Sequence, residues 1–484
     1  MSIVERICTH AKEHPDKLAV IFENEQITYG ELWEKVEHFA GLISEMGINI
    51  GDRVIVQASY TNWFVIACYG CHLAGAVFVP IEKNADQTTV EDIASQVGAG
   101  LILSSYNLDK FSCLTYENIA EKVCGFNSEY KHSFPTPDMI ADMMFTTGTT
   151  GTPKGVVLSH RNILETALVR VHEVEIKENN VGITLVPLNH VAPMRELYLN
   201  GYMGGAFIFL DGITKMKRMF EFMEKYNVTS LYLPPANISI LQQLSRDRLN
   251  SFAEQIDYVY TASAPMQESQ RTFMRKMLPN SRLYFSYGSS ENGSVCLHRY
   301  DRDEKDITCV GKPCIDVDVK VVNDNFDVVK CRETGTITIK SNMNMIGYWK
   351  RDDLNKAVFK DGYFLSNDVG FYDDEGFLYV KGRKDDVINI GGLKVIPSEI
   401  ETATLEIPGI DDCVCFAISD RITGQAPKLL IVKNELFKGD IKTVFETLTV
   451  KLDRYKIPTV IEFVDSIQRT SNGKVDRKFY KNNQ

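Results

Sequence analysis

The chain has 484 residues, of which 44% are apolar and 24% are charged, and its formal net charge is −11 at pH 7. This length predicts roughly two to four domains rather than a single core, and the composition is that of a globular protein. The negative charge argues against general nucleic-acid binding, because phosphate backbones are held chiefly by Lys and Arg, but it still allows a local nucleotide pocket.

The sequence favours a cytoplasmic location. No apolar run approaches the ~18 residues of a membrane span, and the first residues lack the pattern of a signal peptide. The eleven cysteines are scattered without framework spacing, which indicates reduced thiols. Cys68 and Cys71 have no second pair at zinc spacing, so we interpret them as buried small side chains.

Strand-like and helical segments alternate through the first three hundred residues. LAVIF, RVIVQA and VFVPIE are predicted strands, and Thr28 with Glu31 has the spacing of a capping box that begins a helix. A second set follows in GITLVPL, AFIFLDG, SLYLPP, DYVYTAS and RLYFSYG. This alternation predicts an α/β fold in which helices cover two sheets.

The pattern changes near Gly311 to short β-rich segments with Gly and Asp turns, and the last hundred residues have the pattern of a small α+β domain. We therefore predict a large N-terminal domain over 1–382, which includes a β-rich subdomain over about 311–382. A small C-terminal domain is predicted over 383–484.

The most informative segment is TTGTTGTPKG, residues 146–155. Its glycines leave backbone N–H groups approachable, its threonines supply hydroxyls and Lys154 adds a cation, so the loop suits a polyphosphate. It lacks the spacing of a Walker A loop, which argues against P-loop kinases and GTPases.

Further motifs follow in a fixed order. They are PLNHVAP (187–193), ASAP (262–265), YGSSE (287–291), SND (366–368), GRKDD (382–386), GGLKV (391–395) and RTSNGKVDR (469–477). Together with the Thr/Gly loop, these segments resemble the adenylate-forming superfamily of acyl- and aryl-CoA synthetases, nonribosomal adenylation domains and firefly luciferase. The resemblance covers nearly all of the chain.

The resemblance implies that the large domain binds ATP or AMP and that the small domain is a mobile lid. Glu291 would bind Mg²⁺, Lys474 would be the catalytic lysine, and Asp385 would be the hinge. The implied nucleotide-binding residues are Thr146, Thr147, Gly148, Thr149, Thr150, Lys154, Ser263, Ala264, Pro265, Tyr287, Gly288, Ser289, Ser290, Asp368 and Arg383. An aspartate such as Asp368 can accept both ribose hydroxyls. Asn367 stands where the family usually has glycine.

The implied acid-binding residues are His190, Val191, Arg195, Tyr260 and Tyr284, and the alignment implies that Tyr202 faces the same pocket. Val191 stands where amino-acid-activating members carry an aspartate, so an α-amino acid is disfavoured, because its desolvated ammonium group would have no partner. The tyrosines and Arg195 favour an aryl or polar-ended acid. Two alternatives for Arg195 are an ion pair with Glu196 and exposure to solvent.

The implied activity is ATP-dependent formation of an acyl-adenylate, with release of pyrophosphate, followed by thioester formation. Gly391 and Gly392 would line the approach of the thiol. We favour coenzyme A as the acceptor, and the alternative is the phosphopantetheine of a separate acyl or peptidyl carrier protein. A luciferase-like oxidase, an inactive nucleotide-binding homologue and an unrelated phosphotransferase that releases ADP are weaker alternatives.

Overall fold

The computed structural model of the chain describes residues 1–126, 130–146, 154–469 and 475–482. The helices are α1 (Ile3–Glu13), α2 (Tyr29–Glu45), α3 (Asn62–Leu73), α4 (Gln87–Val97), α5 (Ile119–Cys124), α6 (His160–Val174), α7 (Val191–Met203), α8 (Met216–Lys225), α9 (Pro235–Leu244), α10 (Glu268–Met277), α11 (Asp352–Val358), α12 (Pro397–Leu405), α13 (Ile441–Lys451) and α14 (Arg477–Asn482).

The first fifteen strands are β1 (Leu18–Ile21), β2 (Gln26–Thr28), β3 (Arg53–Gln57), β4 (Val77–Ile81), β5 (Ala99–Ser104), β6 (Cys113–Thr115), β7 (Ile140–Thr146), β8 (Lys154–Ser159), β9 (Val181–Thr184), β10 (Ala206–Phe209), β11 (Ser230–Tyr232), β12 (Tyr258–Thr261), β13 (Arg282–Ser289), β14 (Gly293–Arg299) and β15 (Cys309–Pro313). The rest are β16 (Asp318–Val322), β17 (Gly335–Lys340), β18 (Gly347–Tyr348), β19 (Phe359–Lys360), β20 (Tyr363–Tyr372), β21 (Leu378–Arg383), β22 (Ile388–Ile390), β23 (Leu393–Val395), β24 (Ile410–Asp420), β25 (Gly424–Lys433) and β26 (Val460–Phe463).

The chain divides into two compact units. Unit 1 contains residues 1–318 and 339–364, and unit 2 contains residues 319–338 and 365–484. The domain boundary that we predict after residue 382 stays a prediction.

Unit 1 contains two extended runs of hydrogen-bonded strands. One run has the order β15-β14-β13-β12-β11-β9-β10-β1-β2, and its centre from β13 to β1 is parallel. The other has the order β18-β8-β7-β4-β3-β5-β6. Parallel neighbours need connections of helix length, which the alternation of strands and helices supplies, and the predicted helix-covered sheets are present.

Local signals in the sequence begin two of the helices, one of them where we predicted it. Thr28 caps α2, and its side chain and that of Glu31 form the predicted capping box. Ser159 caps α6 in the same way with Asn162. Both helices pack apolar faces inward, with Leu32 and Ile163 buried.

Unit 2 is the α+β part of the chain. Strands β16, β17, β20 and β21 are neighbours in that order, and a second sheet has the order β23-β22-β25-β24 with β26 beside β25. Its core joins apolar residues of strands and helices, among them Ile388, Ile400, Leu429, Val444 and Leu448.

Two findings concern the whole of the described chain. No disulfide joins the eleven cysteines, all of which lie among the described residues. Within residues 1–126, 130–146, 154–469 and 475–482, no helix is both long enough and apolar enough to cross a membrane.

Candidate active site

The Thr/Gly loop joins two antiparallel strands. β7 and β8 pair so that Thr146 lies opposite Lys154, and β8 then continues to Ser159, which caps α6. The predicted phosphate-binding residues Thr147, Gly148, Thr149 and Thr150 lie outside the described residues. The two ends of the loop are therefore held at the edge of a sheet in unit 1.

Tyr348 connects Lys154 to Glu291. The Nζ of Lys154 lies 5.2 Å from the centre of the Tyr348 ring, and the Tyr348 hydroxyl donates a hydrogen bond of 2.9 Å to Oε1 of Glu291. Tyr348 is held there because β18 pairs with β8. The contact brings the end of the Thr/Gly loop and the predicted magnesium-binding carboxylate to one place.

The predicted Tyr287–Glu291 motif forms the end of β13 and the turn that follows it. The backbone N–H of Ser289 donates to Oδ1 of Asn292 at 2.7 Å, and that of Glu291 donates to Oγ of Ser289 at 3.1 Å. A Cβ atom at Gly288 would lie 1.9 Å from the carbonyl oxygen of Gly293, so only glycine fits there. This hydrogen-bonded turn presents the half-buried Glu291 side chain.

Arg195 lies beside the same turn. Its Nη2 donates to the carbonyl oxygen of Ser289 at 2.7 Å. Burial lowers the pKa of Arg195 from its ordinary value, and the nearby Tyr260, Tyr232 and Glu291 oppose that shift. Arginine side chains remain protonated in proteins, so the guanidinium lies as a cation beside the Glu291 turn.

Glu196 does not pair with Arg195. Its carboxylate forms an ion pair of 2.6 Å with Arg170 of α6. Adjacent helical residues point in different directions, so α7 places Arg195 toward the Glu291 turn and Glu196 toward α6.

His190 and Val191 form the start of α7. His190 is the N-cap residue, and its backbone N–H donates to the carbonyl oxygen of Pro187 at 3.2 Å. Both side chains are half-buried. Val191 and Arg195 line one small cavity, as expected for residues four apart on a helix.

The Ala262–Pro265 segment directly follows β12. Ser263 has a φ of 85°, in the left-handed region that non-glycine residues seldom adopt. Its Oγ lies 3.2 Å from the Tyr232 hydroxyl. Strain of this kind, ~1–3 kcal/mol, is concentrated at ligand sites, so it agrees with a functional role for this turn.

Tyr260 is buried in β12. Its hydroxyl lies 2.8 Å from Oγ of Ser294, and the guanidinium carbon of Arg170 lies 3.9 Å from its ring centre. Burial raises the pKa of Tyr260, so this hydroxyl remains protonated at neutral pH.

The other two tyrosines predicted for the acid pocket, Tyr284 and Tyr202, each lie against an arginine other than Arg195. Tyr284 is next to Tyr260 on the adjacent strand, and the guanidinium carbon of Arg299 lies 5.6 Å from its ring centre. Tyr202 lies about two helical turns beyond Arg195, where the guanidinium carbon of Arg6 is 5.4 Å from its ring centre. Tyr202 is therefore at the other end of α7 from Arg195.

Unit 2 brings three predicted residues together. Asp368 and Arg383 are directly opposite on β20 and β21, with 4.0 Å between Oδ1 and Nε. Nδ2 of Asn367 donates to Oδ2 of Asp385 at 2.5 Å. Asn367, which replaces the usual glycine, thus holds the predicted hinge residue.

The segment after the predicted catalytic lysine is also tied to the hinge residues. Lys474 itself lies outside the described residues. In α14, Nζ of Lys481 donates to the carbonyl oxygen of Asp385 at 3.0 Å and to Oδ1 of Asp386 at 2.7 Å. Arg477 binds both carboxylate oxygens of Glu401 in α12.

Gly391 and Gly392 form the two-residue turn between β22 and β23. Their φ values are 58° and 96°, as a tight hairpin turn requires. The turn by itself therefore explains both glycines, and a role in the approach of a thiol stays a prediction.

The magnesium prediction rests on a single side chain, Glu291. Among the described parts of the chain, no three His, Cys, Asp or Glu side chains are grouped so that they would hold a metal ion.

Tyr348 was missed by the sequence analysis. It is 57 residues from Glu291, and nothing in the spacing connects the two. The only available signal was a glycine followed by two aromatic residues, Gly347-Tyr348-Trp349.

Comparison with known protein families gives two matches along the chain. Residues 8–349 match the model described as AMP-binding enzyme, and residues 399–474 match the model described as AMP-binding enzyme C-terminal domain. The first match alone covers more than two thirds of the chain.

Individual proteins are similar over nearly the whole chain. A 2-succinylbenzoate–CoA ligase of Bacillus velezensis is 27% identical over 472 residues, which cover 96% of this chain and 94% of that protein. ATP-bound MatB from Rhodopseudomonas palustris has a TM-score of 0.90 at 21% identity and covers 100% of this chain and 99% of its own. MenE from Bacillus subtilis, in complex with ATP and a magnesium ion, has a TM-score of 0.87 at 22% identity, with 98% and 99% covered. These structural similarities confirm the predicted fold.

Proposed function

This chain belongs to the AMP-binding enzyme family, and on that premise we propose that it is an acid–thiol ligase. It activates a carboxylic acid with ATP to an acyl-adenylate, releases pyrophosphate, and transfers the acyl group to coenzyme A. The similar 2-succinylbenzoate protein is named a CoA ligase, which supports coenzyme A as the acceptor.

The observation that carries this proposal is the contact of Tyr348 with both Lys154 and Glu291. Lys154 lies at the end of the Thr/Gly loop, and the Tyr348 side chain lies between it and the Glu291 carboxylate. The lysine provides a cation for phosphate, and the carboxylate provides a ligand for the metal ion that accompanies the phosphate. The packing of Glu291 does not require Lys154, because Glu291 is half-buried and its carboxylate accepts a hydrogen bond from Tyr348.

The residues present fit magnesium and a nucleotide. Glu291 offers a carboxylate with one oxygen bound by a neutral hydroxyl, which leaves its charge available. When bound there, Mg²⁺ supplies charge neutralisation on phosphate oxygens. Lys154 and the backbone N–H groups of the loop from Thr146 to Thr150 would hold the polyphosphate.

Other parts of the nucleotide are assigned to the remaining motifs. We place adenine against the backbone of Ser263, Ala264 and Pro265 and the ring of Tyr287, and a phosphate beside Ser290. Asp368 is proposed to hold the ribose, since a carboxylate accepts two hydroxyls, and Arg383 is proposed to contact the ribose or a phosphate.

In the first reaction, a carboxylate oxygen of the acid attacks the α-phosphorus in line. The bond from that phosphorus to pyrophosphate breaks, and pyrophosphate leaves with the electron pair. The acid is already ionised at neutral pH, so no general base is needed. Lys154 and Lys474 would stabilise the developing phosphoryl charge.

In the second reaction, the thiol sulfur attacks the acyl carbon, its proton passes to solvent, and AMP leaves. The small domain is proposed to turn about Asp385 between the two reactions, a rigid-body change of the kind that often limits turnover. Gly391 and Gly392 are proposed to line the approach of the thiol.

The acid is proposed to bind at the start of α7. His190 and Val191 would lie against its carboxylate end, and Arg195 would face a polar group. Apart from the bond to Ser289, no other hydrogen bond of the Arg195 guanidinium is found among the described residues. Val191 gives no counter-charge for an ammonium group, which disfavours α-amino acids.

The test is carboxylate-dependent ATP–pyrophosphate exchange with purified protein over aryl, short polar and fatty acids. We expect exchange with at least one acid, release of AMP rather than ADP, and thioester formation with coenzyme A. Release of ADP, or exchange that needs no acid, would contradict the proposal. Repeating the thioester assay with acyl and peptidyl carrier proteins distinguishes the second acceptor.

A further inference from the structure

Four buried tyrosines form a layer in unit 1, which we call the tyrosine floor: Tyr232, Tyr258, Tyr260 and Tyr284. Three partly buried residues, Val186, Ala192 and Ala262, pack against this cluster. They come from the segment before His190, the first turn of α7 and the turn after β12. The floor therefore lies beneath the segments that we propose to hold the acid and the adenine.

A charged pair is enclosed in this floor. The ion pair of Arg170 and Glu196 measures 2.6 Å, and the two side chains are 2% and 3% exposed. The Arg170 guanidinium carbon lies 3.9 Å from the ring centre of Tyr260. Burial opposes the charge of Arg170, but Glu196 and the tyrosines outweigh it and raise its pKa above the ordinary value.

This pair is poorly explained by stability alone. Nε and Nη2 of Arg170 are buried and make no hydrogen bond in the described structure. An unused buried N–H carries a desolvation cost, and replacing a buried ion pair by apolar side chains of similar volume is often neutral or stabilising. The floor thus retains two charges and two unused donor atoms that packing alone does not require.

We propose that Arg170 and Glu196, with Tyr260, close the far end of the acid pocket and determine its specificity. The inference rests on the function proposed above. A long apolar tail would have to displace the ion pair or bring its methylene groups against buried charges, and both are unfavourable. The enzyme therefore takes short acids that carry a second oxygen function at the far end, such as a hydroxyl or a carboxylate, and excludes fatty acids.

The unused donors of Arg170 suit this assignment. A guanidinium presents its N–H groups in a fixed plane and pairs well with carboxylate or hydroxyl oxygens. The Arg170 guanidinium carbon lies 3.9 Å from the ring centre of Tyr260, so an oxygen-bearing group that reached this ring would lie beside the cation.

The experiment compares the kcat/KM of pyrophosphate exchange for butyrate, 4-hydroxybutyrate, succinate and octanoate. Wild-type protein is expected to prefer 4-hydroxybutyrate or succinate over octanoate by about 100-fold or more. In Arg170→Met/Glu196→Leu, the preference for octanoate over butyrate should rise by about tenfold or more, because the pocket end becomes apolar.

A matched control is the double variant Arg282→Met/Asp257→Leu. This ion pair of 2.7 Å joins the first residue of β13 to the residue before β12, at the other end of two strands of the floor. Its loss should leave the order of preference among the acids unchanged. Circular dichroism establishes that each variant is folded.

A second variant tests the proposal without a change in the packing of side chains around the ion pair. Glu196→Gln keeps the shape of the side chain but leaves the charge of Arg170 unbalanced, so the preference for succinate over butyrate should rise by about tenfold. Unchanged ratios in both folded variants, or a wild-type preference for octanoate, would overturn the inference while leaving the proposed function intact. Exchange with none of the acids tested here or above would overturn both.

Discussion

At the scale of single residues, the central contact is the one that Tyr348 makes with Lys154 and Glu291. The sequence identified Lys154 and Glu291 from motifs, because each motif has a distinctive order of residue types. Tyr348 has no such motif, and its role arises only because β18 pairs with β8. A separation of 57 residues along the chain gives no indication that Tyr348 and Glu291 are in contact.

Tyr348→Phe tests this contact. The ring under Lys154 is retained, while the hydrogen bond to the charged Glu291 is lost, and such bonds contribute about 1.5–3 kcal/mol. We expect the KM for ATP in the presence of Mg²⁺ to rise by at least about tenfold. Tyr226→Phe, which removes an exposed hydroxyl bonded to Gln26, should leave that KM unchanged. Equal KM values in wild type and Tyr348→Phe would disprove the assigned role.

His298 provides a prediction about pH. Burial, with the charge of Arg271, lowers its pKa from 6.5 to about 4. The unfolded chain binds a proton to this residue between pH 6.5 and 4 and the folded chain does not, so stability falls as pH falls through that range.

Urea unfolding at pH 7 and pH 5 measures the effect. Between those pH values the free energy of unfolding of the wild type should drop by about 2 kcal/mol more than that of His298→Leu. Parallel losses in the two proteins would show that His298 does not titrate as the structure implies.

At the scale of elements, α7 orients several side chains of the candidate site, because each of its faces packs against a different part of unit 1. Arg195 meets the Glu291 turn, Glu196 meets α6, and Tyr198 reaches β7, where its hydroxyl donates to Oδ2 of Asp142 at 2.8 Å. The other oxygen of Asp142 is 2.9 Å from Nε2 of His72 in α3. β7 continues from Asp142 to the Thr/Gly loop, so one buried carboxylate anchors both α7 and the strand that leads to that loop.

Asp142→Ala should therefore destabilise the protein by about 3 kcal/mol, because it leaves two buried groups without their partner. Asp86→Ala, which removes the N-cap of α4, is the reference and should cost clearly less than Asp142→Ala. Urea unfolding compares the two. If Asp142→Ala cost no more than the cap variant, the carboxylate would not be the anchor of α7.

At the scale of the whole molecule, the two reactions place different demands on Lys474. Lys474→Ala should lower adenylation by about 10²-fold or more, the scale of one lost electrostatic contact in a transition state. Thioester formation from supplied acyl-adenylate should fall much less. Lys442→Ala, on the exposed face of α13, is the control and should affect neither rate. An equal loss in both half-reactions of Lys474→Ala would refute the assignment.

A change at the proposed hinge should affect the second reaction rather than the first, the reverse of the result expected for Lys474→Ala. Asp385→Pro fixes one backbone angle in the segment that is proposed to rotate, so pyrophosphate exchange should persist while thioester formation stops. Lys384→Ala, which removes an exposed ion pair with Asp324, should leave both reactions nearly unchanged. Undiminished overall turnover in Asp385→Pro would show that no rotation about this residue is needed.

The sequence by itself determined the α/β class, the order of most strands and helices, the family, and the residues that form its motifs. It could do so because strand and helix periodicities, caps and turn glycines are local, and because motif residues occur in a fixed order along the chain. Tertiary structure alone decided that Tyr348 joins Lys154 to Glu291 and that Glu196 pairs with Arg170 rather than with Arg195. It likewise decided that Asn367 binds Asp385. These contacts depend on which elements become neighbours and on which way each side chain points, and neither is a function of separation along the chain.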